Sequence, residues 1–436
     1  MWVAYTLCSH VATATATCSL LVRTSPFSDA QPGMTAVALR LGARPRRLPF
    51  AFTSRAIHSR SFPAWFVRGG TSNGLVILRS DLPPEPRWPD VLPPAMGSPD
   101  PHFGRQLDGI GSGLSSTSKV IVLAPPSSAD VDVDYTFVQV GIRDGRLDLA
   151  GNCGNMSAMV GPAAWDLALV PAARKSALVT ADDDCGHRWA ELRCLNTNTS
   201  KVVVSRFRID GDPPSYAPRG DFAMDGVPGT NSPITLRFVD PTGAKTGAAL
   251  PTGNTVDVLE LPSGETVKAS LIDVGNPGVF VSTQSLGLDP TEASSLTPSS
   301  IDTNAPLKAH LDTVRRVGAS LMGLDPDTES VPKIVLLFPP ADTPADVDIR
   351  CLAMSMGQPH KAMPLTLALC LAASAHIRGT LAAGLMMQRG KTVQRTLTLA
   401  HPSGRLPVGT VVNGGRIESA ELLRTARVLM KGRVCY

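Results

Sequence analysis

The chain has 436 residues, 43% of them hydrophobic and 18% charged, which suits a globular protein with room for two or three domains. Its net charge of +4 is concentrated at one end. Residues 1–60 carry seven arginines, no lysine and one acid, Asp29, and the remainder has 34 basic against 36 acidic residues. The body therefore has no basic stripe or aromatic-interleaved Lys/Arg run, and nucleic acid is excluded as a partner.

Residues 1–60 look appended. They are rich in Ala, Ser, Thr and Arg, with Arg40, Arg44, Arg46, Arg47, Arg55 and Arg60 among apolar residues. That composition predicts an organelle transit peptide, and hence a mitochondrial address, with a cytoplasmic one as the alternative. A disordered extension or a misassigned first exon would read the same way. Residues 1–18 lack the basic start of a secretory signal. No apolar run reaches the length of a membrane span. The eight cysteines (Cys8, Cys18, Cys153, Cys185, Cys194, Cys351, Cys370 and Cys435) form no CxxC pair and read as reduced thiols. Cys185, His187 and Cys194 fit no standard zinc spacing, so no metal is expected.

The folded body begins near Ser61. Residues 62–67 and 75–78 read as strands joined by Arg68-Gly69-Gly70-Thr71-Ser72-Asn73-Gly74, a turn that allows close backbone approach to a ligand. Residues 83–94 form a proline-rich connector, 96–101 a turn cluster and 106–113 a glycine-rich loop. Ser115-Ser116-Thr117-Ser118-Lys119 then places a lysine at the start of an apolar strand, 119–123. After a second strand, 135–142, Gly151-Asn152-Cys153-Gly154-Asn155 sets a cysteine in a turn before a helical run, 156–169. Backbone N–H groups at such a turn and helix start make an anion site.

Strands follow at 188–196 and 201–209, then a loop over 211–231. Further strands are expected at 234–239, 256–261, 267–274 and, after Gly275-Asn276-Pro277-Gly278, at 279–281. Apolar spacing predicts a helix over 307–324 with Arg315 and Arg316 facing outward. Residues 333–338 and 349–355 read as strands. Met356-Gly357-Gln358-Pro359-His360 leads into 362–377, a helix apolar nearly all round and hence central. Residues 395–399 form a strand before His401-Pro402-Ser403-Gly404, and 418–434 close the body as strand, or short helix plus strand. His102 reads as structural. His360 and His401 read equally as substrate ligands or as loop caps. Strand, turn and buried helix occur twice, which suggests similar halves facing each other across a cleft.

These passages resemble the 2-methylaconitate isomerase (PrpF) family. The likeness runs through RGGTSNG (68–74), MGSPDP (96–101), QLDGIGSGLSSTSKV (106–120), DVDYTFVQV (132–140), GNCGN (151–155), DGVPGTNSPI (225–234), LPTGN (250–254), SLIDVGNPGVFV (270–281), SMGQPH (355–360) and AHPSG (400–404), in the same order and spacing. The resemblance implies an α+β, diaminopimelate-epimerase-like fold: two similar domains, each a curled β-sheet around a central helix, with the active site in the interdomain cleft. The expected boundaries are an extension at 1–60, a first domain over 61–225 to which 421–436 return, and a second over 226–420. It implies a cofactor-independent isomerase moving the double bond of aconitate-type or 2-methylaconitate-type tricarboxylates. Lys119 matches the family's catalytic lysine, and Cys153 its loop cysteine. Arg68, Thr71, Ser72, Ser118, Asn155, Asn276, Met356, Gly357, His360 and Ser403 match positions facing substrate. Asn73 stands where the family commonly has lysine, and residues 1–60 have no counterpart.

The chemistry asks for a base near neutral pKa. A free lysine, at about 10.4, is mostly protonated at pH 7, so Lys119 must be buried to lower it. It would remove a proton and return it at the new carbon, with Cys153 as second acid/base or hydrogen-bond donor. Alternatives are a tautomerase of an oxalomesaconate-like acid, an accessory protein associating with an aconitase-type iron–sulfur dehydratase, and an amino-acid racemase. The last would want a cysteine in each half, and Gly275-Asn276-Pro277 offers none. A small tricarboxylate is the expected ligand, with a homodimer as the default assembly.

Overall fold

The computed structural model describes residues 60–180 and 186–436. Residues 1–59, which carry nearly all of the expected leader together with Cys8 and Cys18, and residues 181–185, with Cys185, lie outside the described residues. No helix among the described residues is long and apolar enough to cross a membrane.

A single ladder of strands runs through the molecule and curls twice. The first curl begins with Ala426–Cys435, which pairs antiparallel with Ser61–Gly69, itself antiparallel to Ser72–Leu78. Ser72–Leu78 runs parallel to Lys119–Ala124, which is antiparallel to Val133–Val140. Val133–Val140 is parallel to Arg188–Asn196, followed by Lys201–Asp210 and Ile234–Val239, both antiparallel additions. Ile234–Val239 then hands the ladder to Arg416–Arg424, and Gly404–Asn413 and Thr396–His401 follow. Thr396–His401 is parallel to Ile349–Ser355, which is antiparallel to Lys333–Leu337. Lys333–Leu337 is parallel to Asn276–Ser282, and Thr266–Val274 and Asp257–Glu260 finish the second curl.

Strand alternation sorts the side chains into layers. In Lys119–Ala124, Ile121 and Leu123 face the central core, while Val120 and Val122 pack outside against Trp88, Leu92 and Met96. In Lys333–Leu337, Val335 and Leu337 face the central core. Ile334 and Leu336 pack outside with Leu307, Leu311 and Val314 of the helix Ala305–Leu321. Each curl closes around a buried helix. In the second it is Leu365–Ala375, a charge-free Leu/Ala run buried at every position. In the first it is broken into Gly154–Ser157 and Val160–Asp166. The expected continuous helix over 156–169 fails because Pro162 has no N–H to reach the carbonyl four residues back.

Other expectations shift for similar reasons. Residues 211–231 include a small hairpin, Phe222–Met224 with Val227–Asn231. Gly404–Asn413 and the helix Leu381–Gln388 were not expected; Pro407 disguises the first as loop. Residues 418–434 hold strands only, with Thr425 at the junction between Arg416–Arg424 and Ala426–Cys435.

Arg315 corrects the outward-facing reading. The residue is 6% exposed, and its guanidinium donates to Asp312 Oδ1 at 2.7 Å, Thr328 O at 2.9 Å and Pro326 O at 2.8 Å. It ties the outer helix to the segment before Lys333. Arg315→Ala is expected to cost about 2–3 kcal/mol by leaving those acceptors unpaired, and Arg316→Ala, at a solvent-screened ion pair, distinctly less. Urea midpoints at unchanged m would check this, and equal effects from both substitutions would contradict it.

Candidate active site between the halves

The alternation that builds the core also aims Lys119. It shares the inward parity of Ile121 and Leu123, so its side chain enters the space at the mouth of the first curl. Gly74 stands opposite it in the parallel ladder, and a Cβ there would lie 2.1 Å from the Lys119 carbonyl oxygen. Only glycine lets the strands close at this point. Lys119 Nζ donates to Gln139 Oε1 at 2.7 Å. Gln139 is held in turn by its amide donating to Ser115 O at 3.1 Å and Ser118 O at 2.9 Å. The Phe137 ring centroid lies 5.3 Å from Lys119 Nζ. Lys119 is 7% exposed, and burial lowers its pKa from the ordinary lysine value, with Cys153 and Asp148 opposing.

Cys153 sits at the N-terminal boundary of Gly154–Ser157, partly buried, its Sγ 4.0 Å from Ser72 Oγ. The N-terminus of Leu365–Ala375 comes to the same place from the other half. A Cβ on Gly154 would meet Leu365 Cδ2 at 2.3 Å, so any larger residue here would displace the Leu365 side chain that packs the helix ends together. Between them is a cavity of about 30 Å³. Lys119, Cys153, Ser72, Asn155, Lys333 and His360 are among its lining residues, with Met356 and Thr366 beside them. Backbone N–H groups at both helix starts have no partner within their helices, which favours an anion there.

His360 faces this cavity as a neutral imidazole. Burial and the nearby Lys119 push its pKa down to about 4. Its Nδ1 accepts from the Ala362 N–H at 3.1 Å, so the proton belongs on Nε2, which is then a donor. Asn155 is fixed from both sides: Arg424 Nε donates to its Oδ1 at 3.0 Å, and its amide donates to Thr71 Oγ1 at 3.1 Å. Arg424 is fully enclosed, and burial lowers its pKa to about 9, leaving it cationic at neutral pH.

Larger clefts flank the cavity. One of about 830 Å³ includes Arg143, Arg146, Asp148, Met356 and Gly357. Another of about 440 Å³ includes Thr71, His360, Lys361 and Ser403. Gln358 and Ser115 line both, and the Ser115 N–H donates to Gln358 Oε1 at 3.2 Å, a direct bond between the halves. Met356 turns the chain here with φ +54°.

Of the expected site residues, Lys119, Cys153, Ser72, Asn155, Met356 and His360 meet at the cavity, Thr71 and Ser403 line the smaller cleft, and Gly357 lines the larger. Ser403 Oγ bonds to the Lys361 carbonyl. The others stand back. Arg68 donates to Gly70 O at 3.0 Å and Thr425 O at 2.9 Å, bracing the turn. Ser118 Oγ donates to Gln106 Oε1 at 2.7 Å. Asn276 clamps the Cys153 loop: its Oδ1 accepts from Asn152 N–H at 3.1 Å and its amide donates to Asn152 O at 2.9 Å. Lys333, Gln139 and Arg424 were not anticipated. For Lys333 a signal existed, since it opens an apolar strand as Lys119 does.

Residues 60–436 match the family described as PrpF protein. The chain is 35% identical to a 2-methyl-aconitate isomerase of Cupriavidus necator, over 85% of this chain and 96% of that protein. It is 38% identical to a (4E)-oxalomesaconate Delta-isomerase of Novosphingobium sp. (strain KA1), over 86% and 97%. A crystal structure of methylitaconate-delta-isomerase superposes with a TM-score of 0.63 at 34% identity, covering 86% of this chain and 95% of that one. The ladder, the paired central helices and these matches agree, and the chain belongs to the PrpF family of isomerases.

Proposed function

We propose that the protein moves the double bond of an unsaturated tricarboxylate of the aconitate or 2-methylaconitate type by proton transfer at Lys119. The observation that carries this is a lysine amine buried in a cavity flanked by helix N-termini from both halves. Burial favours the neutral amine, the form that can remove a proton next to a conjugated acid. The resulting anion delocalises into the alkene and carboxylate. Helix-start amides, His360 Nε2–H and the Lys333 ammonium are suited to hold that charge. Cys153, beside Ser72, is suited to donate a hydrogen bond or exchange a proton.

A cavity of about 30 Å³ has room for roughly one water. A six-carbon acid therefore needs the halves to part, and the Ser115–Gln358 bond at the rim is one of the contacts that would open. Tautomerisation of an oxalomesaconate-like acid would use the same groups and is the competing substrate choice. The racemase reading is disfavoured, because the second half brings Lys333 rather than a cysteine to the cavity. The mitochondrial address rests on residues 1–60 alone, and the relatives named above are bacterial and lend it no support.

The test is proton NMR of the protein with cis-aconitate, 2-methylaconitate isomers and oxalomesaconate. Alkene migration is expected, lost by about 10³-fold or more in Lys119→Gln and reduced by about 10–100-fold in Cys153→Ser. Migration undiminished in Lys119→Gln would sink the lysine mechanism. A folded protein inert on every acid would favour the accessory role.

A further inference from the structure

Lys119 and Gln139 stand directly opposite each other in the antiparallel pair of Lys119–Ala124 with Val133–Val140, so their side chains leave the same face of the sheet together. Gln139 is buried, and its amide has one workable orientation. Its Nε2 donates to Ser118 O at 2.9 Å and to Ser115 O at 3.1 Å. Turned over, the amide would set an oxygen against two carbonyl oxygens. The end that meets Lys119 Nζ is therefore the acceptor, Oε1.

The two carbonyls that fix this amide are held differently. Ser118 O also accepts from the Val140 N–H at 3.0 Å, so the ladder holds it. Ser115 opens a single tight helical turn, Ser115–Thr117, outside the ladder. That turn keeps its own shape through Leu114 O, which accepts from the Thr117 N–H at 3.0 Å and from Ser118 Oγ at 2.9 Å. The Ser115 N–H reaches across to the second half and donates to Gln358 Oε1 at 3.2 Å. Gln358 is firmly mounted there. It pairs with Ser355 across a two-residue turn, Met356 and Gly357, both at positive φ, which fixes the hairpin register. A continuous chain thus runs from the second half to the base: Gln358 Oε1, the N–H and C=O of Ser115, the Gln139 amide and Lys119 Nζ.

We propose that Gln139 and Gln358 are positioning residues, and that closure of the two halves aims Lys119 through Ser115 and Gln139. This rests on the reading of Lys119 as the base given above. A neutral amine has two N–H bonds and one lone pair, and committing an N–H to Gln139 Oε1 restricts where the lone pair points. With the halves apart, the Ser115 N–H loses Gln358, and the Ser115 carbonyl is no longer tied to the second half. Gln139 then relies on the Ser118 carbonyl, and the amine is free to swing. With the halves closed over an acid, both carbonyls clamp the amide and the amine is held in one pose. The protein thereby withholds a well-placed base until its substrate is enclosed.

The test measures kcat and KM with the acid that wild type converts, for Gln358→Leu, Gln358→Glu, Gln139→Leu and the double variant Gln358→Leu with Gln139→Leu. Gln358→Leu is expected to lower kcat by about 10-fold or more, as for a misplaced catalytic group. Gln358→Glu keeps an acceptor for the Ser115 N–H, so its kcat is expected within about threefold of wild type, with KM raised by the added negative charge. In the Gln139→Leu background the chain is already broken, and Gln358→Leu is expected to cost less than about twofold more. The pH profile is an independent readout. Gln139→Glu sets a carboxylate opposite Lys119 and favours its ammonium, so the rising limb of kcat against pH is expected to move upward. Cys153, Asp148, Lys333 and His360, the other titratable groups around Lys119, are the same in both proteins. A Gln358→Leu variant with kcat unchanged or raised would make the bond a gate alone and overturn the proposal. So would equal kcat losses from Gln358→Leu in both backgrounds, or a limb unmoved by Gln139→Glu. If Gln139→Leu fails to fold, the contrast between Gln358→Leu and Gln358→Glu decides alone. A wild type inert on every acid fails the isomerase reading and this inference together, whereas an active wild type indifferent to Gln358→Leu fails this inference only.

Discussion

An amine taken out of water is the constraint on which this site depends. Charged Lys119 would need compensation that a cavity of this size does not provide from carboxylates, so burial tips it toward the neutral form. The structure holds it with neutral partners instead. Gln139 offers an amide oxygen, Phe137 an aromatic face, and the loop Ser115–Ser118 keeps Gln139 in place through its carbonyls. None of these would cancel a positive charge as an aspartate would, and that leaves the lysine available as a base. The same environment depresses His360 and keeps it a neutral donor.

Such a site exists only while the halves stay in register. The Cys153 loop belongs to the first curl, but Asn276 of the second holds its backbone at both N–H and C=O of Asn152. Arg424, just before the chain crosses back to the first curl, fixes Asn155. Glycine at position 74 permits a backbone approach that a Cβ would block, and at position 154 it leaves room for the Leu365 side chain. These are rigid contacts close to the cavity. The Ser115–Gln358 bond is different in kind. It lies at the rim, joins the clefts' walls, and sits next to a turn with Met356 at positive φ. Access for a tricarboxylate is most economically obtained there, because breaking that bond leaves the Asn276 clamp on the Cys153 loop in place.

Much of this was legible in the sequence because alternation and turn chemistry are local. The strands around Lys119, the Gly-Asn turn carrying Cys153 and the charge-free central helix all follow from residues within a few positions of one another. What was illegible depended on distance along the chain. Arg68 sits in a glycine-rich turn and reads as a ligand for substrate, yet its guanidinium finds the carbonyl of Thr425, 357 residues away. Arg315 sits on what spacing makes a polar helix face, but the loop at Pro326 and Thr328 folds over it. Ser118 looks like a site hydroxyl and instead satisfies Gln106. Lys333 opens an apolar strand as Lys119 does, but only the folded chain brings the two to one cavity.

The most direct measurement is an NMR titration of the protein with side-chain-labelled lysine, assigned through Lys119→Gln and Lys333→Gln. Lys119 should titrate below the ordinary lysine range, and Lys333 near 8. The Lys333 midpoint should move upward in Lys119→Gln, because removing a neighbouring positive charge favours the ammonium. Both lysines titrating with the surface lysines, near 10.4 or so, each indifferent to loss of the other, would contradict a desolvated, coupled pair and with it the proton-transfer site built on it.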